Sequence, residues 1–386
     1  MQTDPPQVSY GALARLFVRL SLTAFGGPVA HIAMAQDEIV TRRGWLTRDH
    51  YLDLIAATNL IPGPNSTEVM IHVGYVLRGI PGAILTGACF IVPTFLLTLA
   101  LSVLYVSTGA IPAVEALLWG IKPVIVAVIA DAAYRLFPAA LKNLLLWLIF
   151  ALAGSAILFF DIPEVIAILG AGVVYSLIEV RPRLPVASAL LFAQPILFGD
   201  RAGIFDVFFY FLKIGSILFG SGYVLIAYIQ QDLVNSFGWL STRELLDAIA
   251  IGQITPGPVS TTATVVGYLV AGLPGAFAAT IGIFLPSFVF VILTAPLIPR
   301  MRRSRLMSAF LDGVNAGVIA AILITVAHLA AEALQPLDAN LASSAIAVLL
   351  ALASLVALIR FRINATWLIL AGALVGLAVQ LLTTPT

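Results

Sequence analysis

The sequence predicts an all-α polytopic membrane protein built from two inverted-topology repeats, each with about five transmembrane helices plus one re-entrant helical hairpin broken at Pro-Gly-Pro. Three observations carry this: an extreme composition, an internal repeat and a one-sided distribution of basic residues. Of 386 residues, 61% are hydrophobic and 10% charged, where a soluble chain carries about a quarter charged residues; the mean hydropathy is +1.05. This excludes a soluble multidomain enzyme, a nucleic-acid binder and a disordered scaffold. The net charge of +1 creates no global field, and the one cysteine, Cys89, excludes a disulfide framework. The four histidines, His31, His50, His72 and His328, show no metal-ligand spacing. The polar amino terminus, Met1 to Tyr10, lacks a basic stretch followed by a short apolar core, so no cleaved signal peptide is expected.

The repeat defines two domains, 1–202 and 203–386. Leu16–Thr67 aligns without gaps on Tyr210–Thr261 at an offset of 194, with 19 of 52 positions identical, and the match continues at offset 193 through Gly74-Tyr75, Pro81-Gly82-Ala83 and Pro93. Shared residues include Phe25-Gly26 with Phe219-Gly220, Gly44-Trp45-Leu46 with Gly238-Trp239-Leu240, and Pro62-Gly63-Pro64 with Pro256-Gly257-Pro258. Two unrelated apolar segments would share Leu, Val and Ala, not these motifs in register.

A crossing needs roughly 20 apolar residues. The first half offers such segments near 10–36, 81–106, 110–136, 143–160 and 164–180, the second near 204–230, 274–298, 306–334, 341–359 and 364–382. Between the first two of each half lies a stretch interrupted by Pro-Gly-Pro, whose arms of about 12 residues make roughly 18 Å of helix, too short to cross alone. If that stretch is re-entrant, one membrane face collects Arg42, Arg43, Arg48, Arg78, Arg135, Lys142, Arg181, Arg183, Arg201, Arg300, Arg302, Arg303, Arg305, Arg360 and Arg362, which is 15 of 20 basic residues. The other collects Asp161, Glu164, Asp232, Glu244, Asp247, Glu332 and Asp338. The positive-inside rule favours this arrangement, which inverts the second half and puts both termini outside. Inverted repeats with broken helices are the layout of secondary carriers, with the site where the repeats meet.

Each Pro-Gly-Pro turn opens a half-helix: Gly63 then Asn65, Ser66 and Thr67 in the first half, Gly257 then Val259, Ser260 and Thr261 in the second. A helix start presents unpaired N–H groups and the positive end of its dipole, which suit an anion, and hydroxyls add donors without charge. The same hydroxyls serve equally as helix caps. A second break, Phe25-Gly26-Gly27-Pro28, is echoed by Phe219-Gly220-Ser221-Gly222; it lets backbone approach a ligand, or lets helices pack closely. Arg19, Lys122 and Lys213 fall about ten residues into apolar segments, roughly 15 Å deep. A cation at that depth costs about 2.5–3.5 kcal/mol and marks a functional candidate, here for anion binding, with pairing to Glu68 or Asp312, or snorkelling, as the structural alternatives. Glu68 follows the first turn and stands where the second half has Thr262; it is the coupling candidate, or else a counter-ion. Asp53 and Asp247 recur near the surface as salt-bridge or cap residues. No Walker loop, Ser-His-Asp pattern or His-Glu-x-x-His helix occurs, so neither a cofactor nor a catalytic metal is expected.

Phe25-Gly26-Gly27-Pro28 with His31, then Gly44-Trp45-Leu46 and Pro62-Gly63-Pro64, repeated in the second half, resembles the chromate ion transporter (CHR) family in its long, two-domain form. The resemblance covers nearly the whole chain. It implies a carrier of the cell inner membrane that moves chromate, with sulfate as the related oxyanion, and confers chromate resistance by efflux. It also assigns the Pro-Gly-Pro turns and the Phe-Gly-Gly stretch to the pathway. The second half departs from the motif at Ser221, Gly222 and Leu225. Outward movement of a dianion across an inside-negative membrane gains about 2 × 2.3 kcal/mol per 100 mV, so export needs no ATP. The expected partners are a small oxyanion and the lipid bilayer, with a homodimer left open and no nucleic acid. A membrane enzyme acting on a lipid phosphate and an anion channel are the competing classes.

Overall fold

The computed structural model describes residues 8–25, 27–108, 111–180, 202–219, 222–296, 304–335 and 341–383. It is an all-α polytopic membrane protein, with no strand among the described residues. Among the described residues, six helices are long and apolar enough to cross a membrane. Leu144, Phe159, Phe205, Trp367 and Leu374 stand largely exposed on the outer surface, as suits hydrocarbon rather than water.

The first half begins with α1 (Tyr10–Thr23), capped by Ser9, and α2 (Gly27–Gln36), which continues as a π-helical turn to Arg42. Segment 10–36 was expected as one crossing; instead the chain doubles back between these helices. Arg19 of α1 pairs with Glu38 beyond α2, although a continuous helix would hold them about 28 Å apart. Its second-half counterpart is α8 (Ile204–Ile217) followed by α9 (Val224–Ile229), extended by a π-helical turn to Ser236. There the Tyr210 hydroxyl donates to the Tyr228 carbonyl at 3.1 Å, a reversal about the same break. Each first segment therefore doubles back into two helical arms too short to cross alone.

The second hairpin of each half has Pro-Gly-Pro at its tip. Helices α3 (Arg48–Thr58) and α10 (Thr242–Ile254) lead in, capped by the equivalent residues Thr47 and Ser241. The returning arms open α4 (Asn65–Thr108) and, after a 3-10 turn Val259–Thr261, α11 (Thr262–Thr294). A Cβ on Gly252 of α10 would meet the Thr262 Cα at 3.4 Å, so the two arms lie side by side. Both α4 and α11 then reverse again, at Arg78-Gly79 (Gly79 φ 64°, ψ −153°) and Ala271-Gly272 (Gly272 φ 63°, ψ −154°). The Thr86 hydroxyl donates to the Met70 carbonyl at 2.8 Å, where a straight helix would separate them by about 24 Å.

The remaining helices are α5 (Pro112–Ala140), α6 (Leu144–Phe160) and α7 (Glu164–Val180), then α12 (Arg305–Ala333), α13 (Leu341–Phe361) and α14 (Ala365–Thr383). α1, α4, α8 and α11 pack together, and α5, α7, α12 and α14 form a second group. One end of the bundle gathers Arg42, Arg43, Arg48, Arg78, Arg135, Lys142, Arg305 and Arg360. Arg135 reaches the Leu358 carbonyl there, and Lys142 Nζ lies 2.6 Å from Asp312 Oδ1. The other end holds Glu115, Glu164, Asp232, Arg243, Glu244 and Asp247. Arg181, Arg183, Arg201, Arg300, Arg302 and Arg303 lie outside the described residues.

The amino terminus was expected across the membrane from the basic cluster. Arg78 instead donates to the Val8 carbonyl and lies 5.1 Å over the Tyr10 ring, so α1 starts at the basic end. The doubling back of the first segment is the reason. α14 runs against α5, with Gly372 on Gly120 and Gly376 on Ala116, so its last turns lie toward the acidic end; residues 1–7 and 384–386, the termini themselves, lie outside the described residues.

Candidate functional site

The two Pro-Gly-Pro tips meet midway through the bundle and exchange partners. The Gly63 N–H donates to the Leu218 carbonyl at 2.7 Å, and the Gly257 N–H donates to the Ala24 carbonyl at 2.9 Å. Ala24 and Leu218 are repeat equivalents, so each tip bonds to the Phe-Gly break of the other half. Side chains follow the same exchange. A methyl group on Gly63 would collide with Ser287 and Glu68, and one on Gly257 with Thr94; Ser287 and Thr94 are equivalent positions. Gly63 (φ 146°) and Gly257 (φ 96°) occupy backbone conformations that side-chain-bearing residues rarely adopt. The Thr98–Thr255 hydrogen bond of 3.3 Å has its apolar equivalent in the packing of Val291 on Ile61.

The tips differ in how their polar groups are satisfied. In the first, Ser66 Oγ lies 3.4 Å from His31 Nδ1, and the Asn65 amide donates to Asn59 Oδ1 at 2.8 Å. Thr67 Oγ1, both carboxyl oxygens of Glu68 and Ser287 Oγ are buried without a hydrogen-bond partner. In the second, the Thr261 hydroxyl caps the Pro258 carbonyl at 2.8 Å and Thr262 the Val259 carbonyl at 2.8 Å, while Thr94 shares a 2.9 Å hydrogen bond with Ser21; Ser260 Oγ is buried without a partner. Unsatisfied buried donors are costly, so the first tip is the one furnished for a polar guest. Gly27 (φ 79°) sits against the Tyr223 hydroxyl from the other half. Gly26, Gly220 and Ser221 lie outside the described residues.

The three deep cations are not brought to the tips. Arg19 pairs with Glu38, which also takes Arg42 at 3.2 Å and Arg43 at 3.3 Å. Lys213 lies within electrostatic reach of Asp232, the repeat equivalent of Glu38. Lys122 Nζ stands 3.0 Å from Asp247 Oδ1, whose other oxygen accepts from the Tyr105 hydroxyl at 2.8 Å. Their acids are Glu38, Asp232 and Asp247, not Glu68 or Asp312. A legible signal existed for two of them: a cation and an acid stand 19 positions apart in both halves. Ser287 and Thr94 gave no such signal, since their relevance arises only when one half packs on the other. The Arg19 side chain is 52% exposed, and Glu38 keeps two other arginines, so the pair contributes at most about 1 kcal/mol. Arg19→Ala should therefore hold the transport rate within about fivefold of wild type in reconstituted vesicles, since losing such a pair changes an equilibrium by no more than that order.

Two cavities approach this centre from opposite ends. One of about 340 Å³ at the basic end is lined by Asn59, Asn65, Ser308, Asp312 and Asn315. The other, about 520 Å³ at the acidic end, is lined by Tyr105, Glu115, Lys122, Arg243 and Asp247.

The chain is 32% identical to the chromate transport protein of Cupriavidus metallidurans, over 96% of this chain and 94% of that one. It is 32% identical to the chromate transport protein of Pseudomonas aeruginosa, over 84% of this chain and 82% of that one. An uncharacterized transporter of Methanocaldococcus jannaschii is 25% identical over 83% of this chain and 85% of its own. No solved structure matches. The family model described as chromate transporter matches residues 11–176 and 205–377, most of each half, and the chain belongs to the chromate transporter family.

Proposed function

We propose that this protein is a secondary transporter that exports chromate dianions, and accepts sulfate, across the cell inner membrane. The observation that carries this reading is the meeting of two Pro-Gly-Pro helix starts in mid-bundle, one with buried unpartnered donors, in a chain of this family. Its two halves act as inverted repeats, with the Pro-Gly-Pro hairpins re-entrant and the basic end facing the cytoplasm. The oxyanion binds at the first tip, to the N–H groups at the helix start and the hydroxyls of Ser66 and Thr67, while Gly63 allows close approach and Asn65 lines the way in. Ser260 beyond Gly257, whose hydroxyl is buried without a partner, contributes on the other side. The membrane potential drives export of a dianion by about 4.6 kcal/mol per 100 mV, so no ATP site is required. Glu68, buried beside Gly63 with no cation paired to it among the described residues, is the residue that carries a proton.

Radiolabelled chromate flux in proteoliposomes with an imposed potential tests this. Saturable flux with counterflow is expected; flux without counterflow identifies a channel, and no flux of chromate or sulfate overturns the reading. Replacing both Ser66 and Thr67 by Ala should raise the KM for chromate by about tenfold or more, the effect of losing charge-assisted hydrogen bonds worth about 1.5–3 kcal/mol each.

A further inference from the structure

The equivalent hairpins of the two halves are packed differently. Every residue of α10 from Leu245 to Gly252 is buried, and α10 packs against α5, α12 and α14. Its counterpart α3 buries Tyr51, Leu54, Ala57 and Thr58, packs on α4 and, among the described residues, makes no comparable contact with the long helices of the second group. The same holds one hairpin earlier. All of Val224–Ile229 is buried in α9, whereas of the equivalent Ala30–Ala35 in α2 only His31 and Ala35 are buried. The acidic end is therefore shut against the second helix group, and the basic end stands away from it.

The cavities record the same asymmetry. Glu115, Leu118 and Lys122 of α5 line the acidic-end cavity, and their repeat equivalents Ser308, Leu311 and Asn315 of α12 line the basic-end one. The basic-end cavity reaches Asn65 at the first tip. The acidic-end cavity stops at Lys122 and Asp247, and Val259, the equivalent of Asn65, stays 5% exposed. At the stop, Lys122 (8% exposed) and Asp247 (2%) join α5 of the first half to α10 of the second, with Tyr105 on Asp247. Arg243 and Glu115 make a second bridge between the same two helices further out.

We propose that the Lys122–Asp247–Tyr105 cluster, backed by Glu115–Arg243, is a latch that holds the acidic end closed and sets the resting state open at the basic end. The equivalent positions at the basic end hold Asn315 with Asp53 and Ser308 with Asp49. Neither of these pairs unites opposite charges, so closing that end forms no matching bridge. The two ends differ in closing energy although they derive from one repeat. Within the transport reading, on which its purpose rests, an exporter so biased waits with its site toward the cytoplasm. Lys122 is then a positioning residue that acts through α10 rather than a ligand of the oxyanion.

Thiol accessibility tests this without substrate. In a Cys89→Ser background, Asn65→Cys should react with a membrane-impermeant maleimide at least tenfold faster than Val259→Cys. Adding Lys122→Ala or Asp247→Asn should raise the Val259→Cys rate tenfold or more and slow Asn65→Cys. The exchange Lys122→Asp with Asp247→Lys should restore the original pattern. Should the buried variants not fold, Glu115→Gln with Arg243→Gln, at the more exposed bridge, should shift the rates in the same sense. Equal reactivity of the two cysteines at the outset, or unchanged rates in a folded latch variant, overturns the latch. Absent chromate flux with the expected labelling pattern overturns the transport reading and leaves the latch standing.

Discussion

Gly63→Ala should abolish chromate flux while leaving a chain that still inserts. Gly63 has φ 146° and donates its N–H to Leu218 of the other half at 2.7 Å. Alanine meets two obstacles there. Its backbone is forced into a region nearly reserved for glycine, at about 1–3 kcal/mol. Its methyl group also collides with Glu68 and Ser287, and overpacking adds about 1–3 kcal/mol. The tip must turn away, breaking the bond to Leu218 and displacing the helix start that presents Ser66 and Thr67. A combined cost of about 3 kcal/mol is a hundredfold or greater loss of the competent geometry. The control is Gly44→Ala: it has φ 58° but open space around the added carbon, so only the backbone term applies. Initial rates in proteoliposomes, corrected for monodisperse protein, check both. A Gly63→Ala variant with near wild-type rates would show that the tip tolerates displacement.

Gly74→Val should be strongly destabilising, because the added side chain meets backbone as well as a side chain. The arm opened by Asn65 folds back on the rest of α4, and a Cβ on Gly74 would strike Thr86 and the Gly82 carbonyl. The limbs are close enough for the Thr86 hydroxyl to donate across them to the Met70 carbonyl. Valine pushes them apart, and that hydroxyl loses its cross-limb partner inside an apolar environment. Overpacking of about 3 kcal/mol lowers the thermal midpoint by about 5–10 °C in a chain of this size. Gly267 makes the same contact with Gly275 in the second half, so Gly267→Val should behave alike. Gly170→Val is the contrast, since nothing lies within 4 Å of its added carbon. Thermal unfolding in detergent separates the three.

The helices and tips were legible because their signals are local. Pro-Gly-Pro recurs in register, Thr47 and Ser241 cap equivalent arms, and the apolar runs are long. The reversals were not legible. Segment 10–36 is apolar almost throughout, so a hairpin and a crossing share one hydropathy profile, and only Arg19 against Glu38 and Lys213 against Asp232 distinguish them. The deep cations read as an anion site because cost alone identifies a buried charge. Which acid answers it depends on packing, as when Lys122 of the first half finds Asp247 of the second. Ser287 escaped for the same reason: a serine in an apolar run carries no signal until Gly63 is set against it.

The exchanged bonds at the tips bear on how the chain is made. When the first half leaves the ribosome, the Gly63 amide is in place, but its acceptor, Leu218, and its neighbour, Ser287, have not been synthesised. The first tip therefore matures late, once Leu218 and Ser287 of the second half are in place, and until then the Gly63 N–H lacks the acceptor it finds in the finished fold. A molecule with only one such half could complete its tip only by borrowing these groups from another polypeptide. Fusion of the halves in one chain makes that borrowing intramolecular and fixes which tip receives Ser287 and which receives Thr94.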